Sequence, residues 1–360
     1  MIESISIKGY RGIKELEIDK FKKYNFFVGD NSSCKTTLLE AINTSLPLEI
    51  KGLTISAYSR GNILTKDDIN NFFYNTEAEN EIELILNNEV KTIIRNIDLF
   101  SNEQISKFQE IEKYNAIRKL GVEILYNVIK EIDGEKIVSA NVIDNSNFDI
   151  YADYVNSLDS KINYGNSCFI TPITKIQTGV ALIVKELIEK KQKKELLNIL
   201  NLFELGIDDI TSDGKTVLLS KESLKRMMPI TSFGNGLAAI LDIVSAILKE
   251  DADYLFIDEI ESGIHYLNFE KLCKSLIKIA ENKNIQIFIT THSEEFLKSF
   301  YNELDYEKDE ITLYRFQKKN NELRKVYYSK EKAKKAFENG WDIRWVRIFC
   351  LFVKEKQKFV

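Results

Sequence analysis

The sequence predicts an α/β chain with antiparallel strands at its N-terminus, a parallel-sheet core completed by its C-terminal half, and a short inserted arm or lobe between them. Three observations predict it. Two short alternating apolar runs open the chain, Ile2, Ile5 and Ile7, then Leu16 and Ile18, with a YRGIK turn between them. After Pro229, buried strand-like runs alternate with amphipathic helical stretches, which is the pattern of a parallel sheet. The region between is strand-rich, without that alternation.

Composition bounds the rest. A chain of 360 residues, 44% hydrophobic and 29% charged, is long enough for two or three structural units. No run of roughly 18 uncharged apolar residues occurs, so no membrane span is expected. The start, MIESISIKGYRG, has no apolar leader and already alternates like a strand. Four cysteines, Cys34, Cys168, Cys273 and Cys350, lie far apart without a CxxC pair, which argues against a disulfide framework or zinc ribbon and for a reducing cytoplasm. Net charge is −5, unevenly spread: residues 314–360 carry fourteen Lys/Arg against five Asp/Glu. Such a basic end suits an acidic partner or nucleic acid, and more often marks a solvated surface.

Taken in order, YNFFVGDNSSCKTTLLEAI reads as a strand, a small-residue loop and a helix. Residues 51–80 are polar and turn-rich. Residues 81–99 and 122–144 carry strand patterns, with a helix expected near 101–120 between them. One long amphipathic helix is expected from Lys175 to Phe203. Then follow the helix GLAAILDIVSAIL, the strand DYLFID, the helix YLNFEKLCKSLIKIAEN, the strand IQIFITTHS and the helix EEFLKSFYN. ITLYRFQ and LRKVYYS read as two further strands before the basic tail.

Four motifs carry chemistry. Gly29-Asp30-Asn31-Ser32-Ser33-Cys34-Lys35-Thr36 lies between a strand and a helix, where backbone N–H groups converge on phosphate oxygens. In this P-loop reading Asn31, Ser32, Ser33, Cys34, Lys35, Thr36 and Thr37 bind nucleotide. Lys35 reaches the β- and γ-phosphates, and Thr36 supplies a hydroxyl to Mg²⁺. Cys34 stands where the motif has glycine, at a position that tolerates positive φ. The second motif is Tyr254-Leu255-Phe256-Ile257-Asp258-Glu259, an apolar strand ending in paired acids. Asp258 would hold Mg²⁺ with the nucleotide and Glu259 would deprotonate the attacking water, although an ordinary strand exit also places acids there. Third, His292 follows the strand IQIFITT at the sheet edge where open α/β sheets bind ligands. One α/β unit beyond the acids, it suits γ-phosphate sensing. Fourth, Thr231-Ser232-Phe233-Gly234-Asn235-Gly236 precedes a helix, where a hydroxyl and glycines suit anion binding or a plain N-cap.

These motifs occur in that order, with Lys35 and Asp258 about 220 residues apart. Order and separation resemble ATP-binding-cassette heads of the SMC/RecF kind. IDEIESGIHYLNFEKL followed by IQIFITTHSEEFLKSF, with KGYRGIKELEI and the late ENGWDIR, is similar to bacterial AAA-annotated ABC/SMC-like ATPases. These include the ATPase parts of OLD-family nucleases and of PARIS-type anti-phage systems. The resemblance covers half to two-thirds of the chain, and residues 45–170 fall outside it.

The resemblance implies a P-loop NTPase of ABC/SMC-like head type. Residues 1–50 would form the N-terminal part of the head, 51–170 the inserted mixed lobe, 171–340 the C-terminal part, and 341–360 a basic aromatic tail. It implies a dimer in which Ser232, Gly234 and Gly236 act in trans on the partner's ATP, with Phe233 replacing one signature glycine. Gly263 and His265 fall in the D-loop region, and Arg11 matches a basic position that contacts nucleotide, or else is a surface turn charge. It further implies a self-associating cytoplasmic ATPase with no membrane partner, acting on a separately encoded effector such as a nuclease, in anti-phage defence. After Asn302 too little chain remains for a Toprim nuclease domain. The rival reading is a RecF/SMC-like ATPase clamped on DNA in repair or maintenance. A transporter head is disfavoured by the absence of a close LSGGQ signature.

Overall fold

The computed structural model describes residues 1–46, 52–61, 69–77, 81–96, 123–144, 150–155, 165–172, 180–201, 206–233, 235–250, 252–308, 310–319, 322–341 and 343. The strands in chain order begin with β1 (Ile5–Tyr10), β2 (Ile13–Ile18), β3 (Tyr24–Gly29), β4 (Ile82–Leu86) and β5 (Val90–Asn96). Then come β6 (Glu123–Ile132), β7 (Glu135–Asp144), β8 (Ile150–Val155), β9 (Ser167–Ile170), β10 (Asp209–Ser212) and β11 (Val217–Ser220). The last are β12 (Met228–Pro229), β13 (Tyr254–Ile257), β14 (Gln286–Thr290), β15 (Ile311–Lys319) and β16 (Glu322–Tyr328). The helices are α1 (Lys35–Ser45), α2 (Gly52–Ser59), α3 (Val180–Glu189), α4 (Lys193–Asn201), α5 (Asn235–Glu250), α6 (Phe269–Lys283), α7 (Glu294–Glu303) and α8 (Lys330–Glu338). They divide into two compact units, residues 1–21 with 36–164, and 22–35 with 165–360.

The first unit is built on a seven-stranded antiparallel sheet of order β2-β1-β4-β5-β6-β7-β8. The opening alternation is its cause: Ile5, Ile7 and Tyr10 of β1 and Ile13, Leu16 and Ile18 of β2 are buried. Lys130 of β6 is fully buried, and its ammonium donates to the carbonyl oxygens of Thr44 (2.8 Å) and Leu46, capping the C-terminus of α1. Within the polar stretch after residue 50, the described part (52–61 and 69–77) is more ordered than its composition predicts. It forms α2 and short 3₁₀ turns because Leu53, Ala57, Ile69, Phe72 and Phe73 are buried.

The second unit holds a six-stranded sheet of order β16-β15-β3-β14-β13-β9. The pairs β9–β13, β13–β14, β14–β3 and β3–β15 are parallel, and only β15–β16 is antiparallel. One face carries a row of stacked rings running Phe169, Phe256, Phe288 and Phe27, with centroids 5.8, 5.1 and 6.4 Å apart. The other face, with Phe26, Leu255, Ile257, Ile287 and Ile289, packs in one buried cluster with Ile240, Val244, Leu276 and Phe296 of the helices. A three-stranded antiparallel sheet, β10-β11-β12, completes the unit and has no counterpart in the sequence reading.

The single helix expected over Lys175–Phe203 is two helices. α3 ends where Lys191 takes a left-handed φ of 64°, with Gln192 N–H donating to the Leu187 carbonyl at 2.8 Å. The break lets Val184 and Leu187 of α3, and Leu196 and Leu200 of α4, all reach the core. The helix expected near 101–120, Gly234, and the tail beyond residue 343 lie outside the described residues.

Candidate functional site

The site's geometry follows from strand order. β14 lies between β3 and β13, all three run parallel, and Phe27 aligns with Thr290 while Ile289 aligns with Ile257. The segments leaving the three C-terminal ends, Gly29–Lys35, Asp258–Glu259 and Thr291–His292, therefore emerge side by side at one sheet edge.

At β3 the turn begins with Gly29, whose φ of 133° excludes a side chain; a Cβ there would lie 2.0 Å from the Phe316 carbonyl oxygen of β15. Ser32 and Cys34 take φ of 61° and 65°. Cys34 thus occupies the left-handed conformation that the expected glycine adopts without cost. Lys35, the first residue of α1, is buried, and its ammonium donates to the carbonyls of Gly29 (3.0 Å) and Asp30 (2.9 Å) and approaches Ser33 Oγ (3.5 Å). Burial pushes its pKa down, opposed by the negative charges of Asp258, Glu259, Asp30 and Glu261. Asn31 and Ser32 are exposed and Ser33 is buried. Thr36 and Thr37 continue α1, and the buried Thr37 hydroxyl accepts from Arg60 Nη2 at 3.4 Å.

At β13, Asp258 is buried and Glu259 is exposed with a left-handed φ of 46°. Two consecutive threonines on β14 and its exit lock this turn. Thr290 Oγ1 donates to Asp258 Oδ1 at 2.5 Å and accepts from Glu259 N–H at 2.8 Å. Thr291 Oγ1 donates to Glu261 Oε2 at 2.7 Å, and Glu261 Oε1 accepts from His292 N–H at 2.6 Å. Burial, then the Lys35 charge, lowers the His292 pKa below its ordinary 6.5, with the carboxylates of Glu261, Glu259 and Asp258 opposing. Lys35, Asp258, Glu259 and His292, picked from sequence as one site, are thus brought within electrostatic reach of one another.

Residues 24–298 match the family model described as "AAA domain, putative AbiEii toxin, Type IV TA system". The chain belongs to that family. It is similar to an ATP/GTP phosphatase of Helicobacter pylori, 28% identical over 328 residues that span 83% of this chain and 87% of that relative. Its fold is similar to that of the SmcHead in a crystal structure with the C-winged helix domain of ScpA, at a TM-score of 0.52 and 14% identity, covering 92% of this chain and 99% of that one. Family and fold together make it an AAA-domain chain with an SMC-head-like fold.

Ser232 is exposed on a 3₁₀ turn (Ile230–Phe233), and Gly236 lies in the first turn of α5. A Cβ built on Gly236 would lie 3.8 Å from the Gly263 carbonyl oxygen and 3.7 Å from Asn268 Nδ2, so the start of α5 adjoins the turn after the paired acids. Gly263 takes a φ of 76° in that turn. His265 is exposed; its Nδ1 accepts from Leu267 N–H at 3.4 Å and its ring lies 4.6 Å from that of Tyr266. Arg11, in the β1–β2 turn at φ 50°, pairs with the buried Glu40 at 3.2 Å and lies 3.8 Å over the Phe72 ring. Glu40 also pairs with Arg60 Nε at 2.6 Å. Sequence reasoning gave no role to Thr290, Thr291 or Glu261. The one signal was the third acid in DEIE, two positions past Glu259.

Proposed function

We propose that this chain binds and hydrolyses ATP with Mg²⁺ at the edge formed by β3, β13 and β14, and that ATP occupancy controls its self-association and thereby a partner effector. The observation that carries the reading is the convergence of Lys35, Asp258, Glu259 and His292 at the ends of adjacent parallel strands. Lys35 would exchange its loop carbonyls for phosphate oxygens, a charge-assisted replacement for neutral ones. Asp258 and Thr36 are hard oxygen donors of the kind Mg²⁺ takes when it arrives with phosphates. Bound there, Mg²⁺ would neutralise phosphate charge. Glu259, exposed while Asp258 is buried, is the carboxylate able to accept a proton from water. His292, held toward its neutral form, can hydrogen-bond a terminal phosphate at neutral pH.

Asn31, Ser32, Ser33, Cys34 and Thr37 would complete the nucleotide cradle, with Arg11 as a further nucleotide contact. Ser232, Gly234 and Gly236 would meet the nucleotide of a second copy, with Gly263 and His265 in the D-loop region. The similarity to an AbiEii-type family model supports a role in bacterial defence with a separate effector. A second reading, in which ATP clamps the dimer on DNA, is favoured by the exposed Lys318, Lys319, Arg324, Lys325, Lys332, Lys334 and Lys335 around β15, β16 and α8.

Glu259→Gln tests the chemistry. The variant should bind MgATP yet lose hydrolysis, and wild-type turnover in it would refute the assignment. Light scattering of the same variant with and without ATP tests assembly. An unchanged mass across a wide concentration range would count against ATP-driven association.

A further inference from the structure

We propose that Glu261 is a positioning residue that fixes the loop carrying His292, and that hydrolysis depends on this brace. The inference rests on the ATPase reading of the site and adds a residue to it.

The geometry is specific. Both oxygens of the Glu261 carboxylate accept from consecutive residues of the β14 exit: the Thr291 hydroxyl at 2.7 Å and the His292 amide at 2.6 Å. An ionised carboxylate is a pure acceptor, so it takes both donors at once through charge-assisted bonds. The neighbouring positions are pinned from other sides. Thr290 is tied to Asp258 and Glu259, Thr291 N–H donates to the Phe27 carbonyl at 3.2 Å, and Ser293 caps α7 by accepting from Phe296 N–H at 3.0 Å. Two backbone amides of this run are held by side chains: that of His292 by Glu261, and that of Ser293 by Thr291 Oγ1 at 3.0 Å, the same hydroxyl that donates to Glu261.

Glu261 itself is fixed by the turn after the acids, where Ser262 N–H donates to the Glu259 carbonyl at 2.8 Å and Ile264 N–H to the Glu261 carbonyl at 3.0 Å. The turn that carries the candidate base therefore also sets where the imidazole begins. A displacement of about 1 Å in a catalytic constellation can cost on the order of a hundredfold in rate. A residue that merely stabilised the turn would change unfolding and leave turnover per folded molecule intact.

The test compares Glu261→Ala, Glu261→Gln and Thr291→Val with wild type in steady-state MgATP hydrolysis. Glu261→Ala and Thr291→Val should lower kcat about tenfold or more while KM stays within about threefold, because the brace touches no substrate. Glu261→Gln, whose amide can accept from His292 and donate to Thr291, should stay within about threefold of wild type. The chain has two histidines, so a histidine-labelled NMR spectrum carries two imidazole signals, His265 and His292. Glu261→Ala should move the His292 signal and leave that of His265 in place. A wild-type kcat in Glu261→Ala, an unmoved His292 signal, or a Glu261→Gln loss as deep as that of alanine would overturn the proposal. If wild type itself does not hydrolyse ATP, the ATPase reading falls, and the histidine signals still decide whether Glu261 positions His292.

Discussion

Replacing Thr290 by valine should unlatch the paired acids at almost constant volume. Thr290 is fully buried, and valine keeps its branched shape, so the substitution removes one hydroxyl and opens no cavity. That hydroxyl makes two bonds at once, donating to Asp258 Oδ1 at 2.5 Å and accepting from Glu259 N–H at 2.8 Å. A hydrogen bond to a charged group contributes about 1.5–3 kcal/mol, and a buried amide deprived of its acceptor costs about 1–3 kcal/mol. Together the loss should be about 2.5–6 kcal/mol, toward the lower end because the Glu259 amide is only partly buried, read as a lower urea midpoint with an unchanged slope. Turnover should fall much further than this implies for folded enzyme, by roughly a hundredfold, since Asp258 and Glu259 would both lose their registration to β14. Thr290→Ser is the control. It keeps the hydroxyl and removes one methyl group, about 1 kcal/mol, and should retain most activity. Equal urea midpoints and equal turnover in Thr290→Val and Thr290→Ser would show that the hydroxyl has no part in holding the acids.

Cys34→Gly should leave MgATP affinity unchanged or raise it, by up to about fivefold. The left-handed φ at Cys34 costs a side-chain-bearing residue about 1–2 kcal/mol, partly offset by the greater entropy glycine loses on ordering. A tenfold loss in a titration of the variant would mean that the thiol has a positive role. pH dependence tests His292. Its depressed pKa keeps it neutral above its ordinary 6.5, so kcat should be flat there and fall in more acidic solution as the imidazole protonates. The sign for stability is the same: the contribution of the neutral ring is complete above 6.5 and is lost as pH falls through the depressed value. His292→Gln should lower kcat and remove that acid step, and an identical step in the variant would assign it to another group.

What could be read from the sequence was what local physics decides. The period-two run Ile5, Ile7 and the partner run Leu16, Ile18 fix an antiparallel pair because either alone leaves an apolar face in water. TyrLeuPheIle and IlePheIleThr are apolar on both faces, as strands covered on both sides must be, and the sheet has them adjacent and parallel. What could not be read depended on register between distant segments. That Thr290 meets Asp258 requires β14 to pair with β13 at one offset, since a slip of one residue would turn the hydroxyl to the opposite face. The α3–α4 break was hidden for a different reason. The run Glu189–Glu195 has no apolar residue, but its Glu, Lys and Gln side chains favour helix as strongly as the flanking segments do, and the left-handed backbone at Lys191 breaks it. Lys130 was equally invisible, because a lysine in a strand pattern is ordinarily surface, and its burial follows from the α1 carbonyls it caps.

The charge arrangement explains why such a site should need its divalent ion. Lys35 feels four carboxylates, Asp258, Glu259, Asp30 and Glu261, and His292 is held toward neutrality. The edge is therefore net negative before a triphosphate approaches, and phosphate oxygens would meet repulsion that one desolvated lysine cannot offset. Loop amides at the start of α1 contribute only partial charges. On the proposed reading Mg²⁺ supplies the missing positive charge. Binding of ATP without it should be weak, and removal of Asp258 charge should have two opposed effects. Asp258→Asn lowers the repulsion toward free ATP and weakens the hold on Mg²⁺, so its affinity for ATP in the presence of chelator should rise while its affinity for MgATP falls. Parallel loss of both affinities would instead assign Asp258 to holding the fold at Thr290.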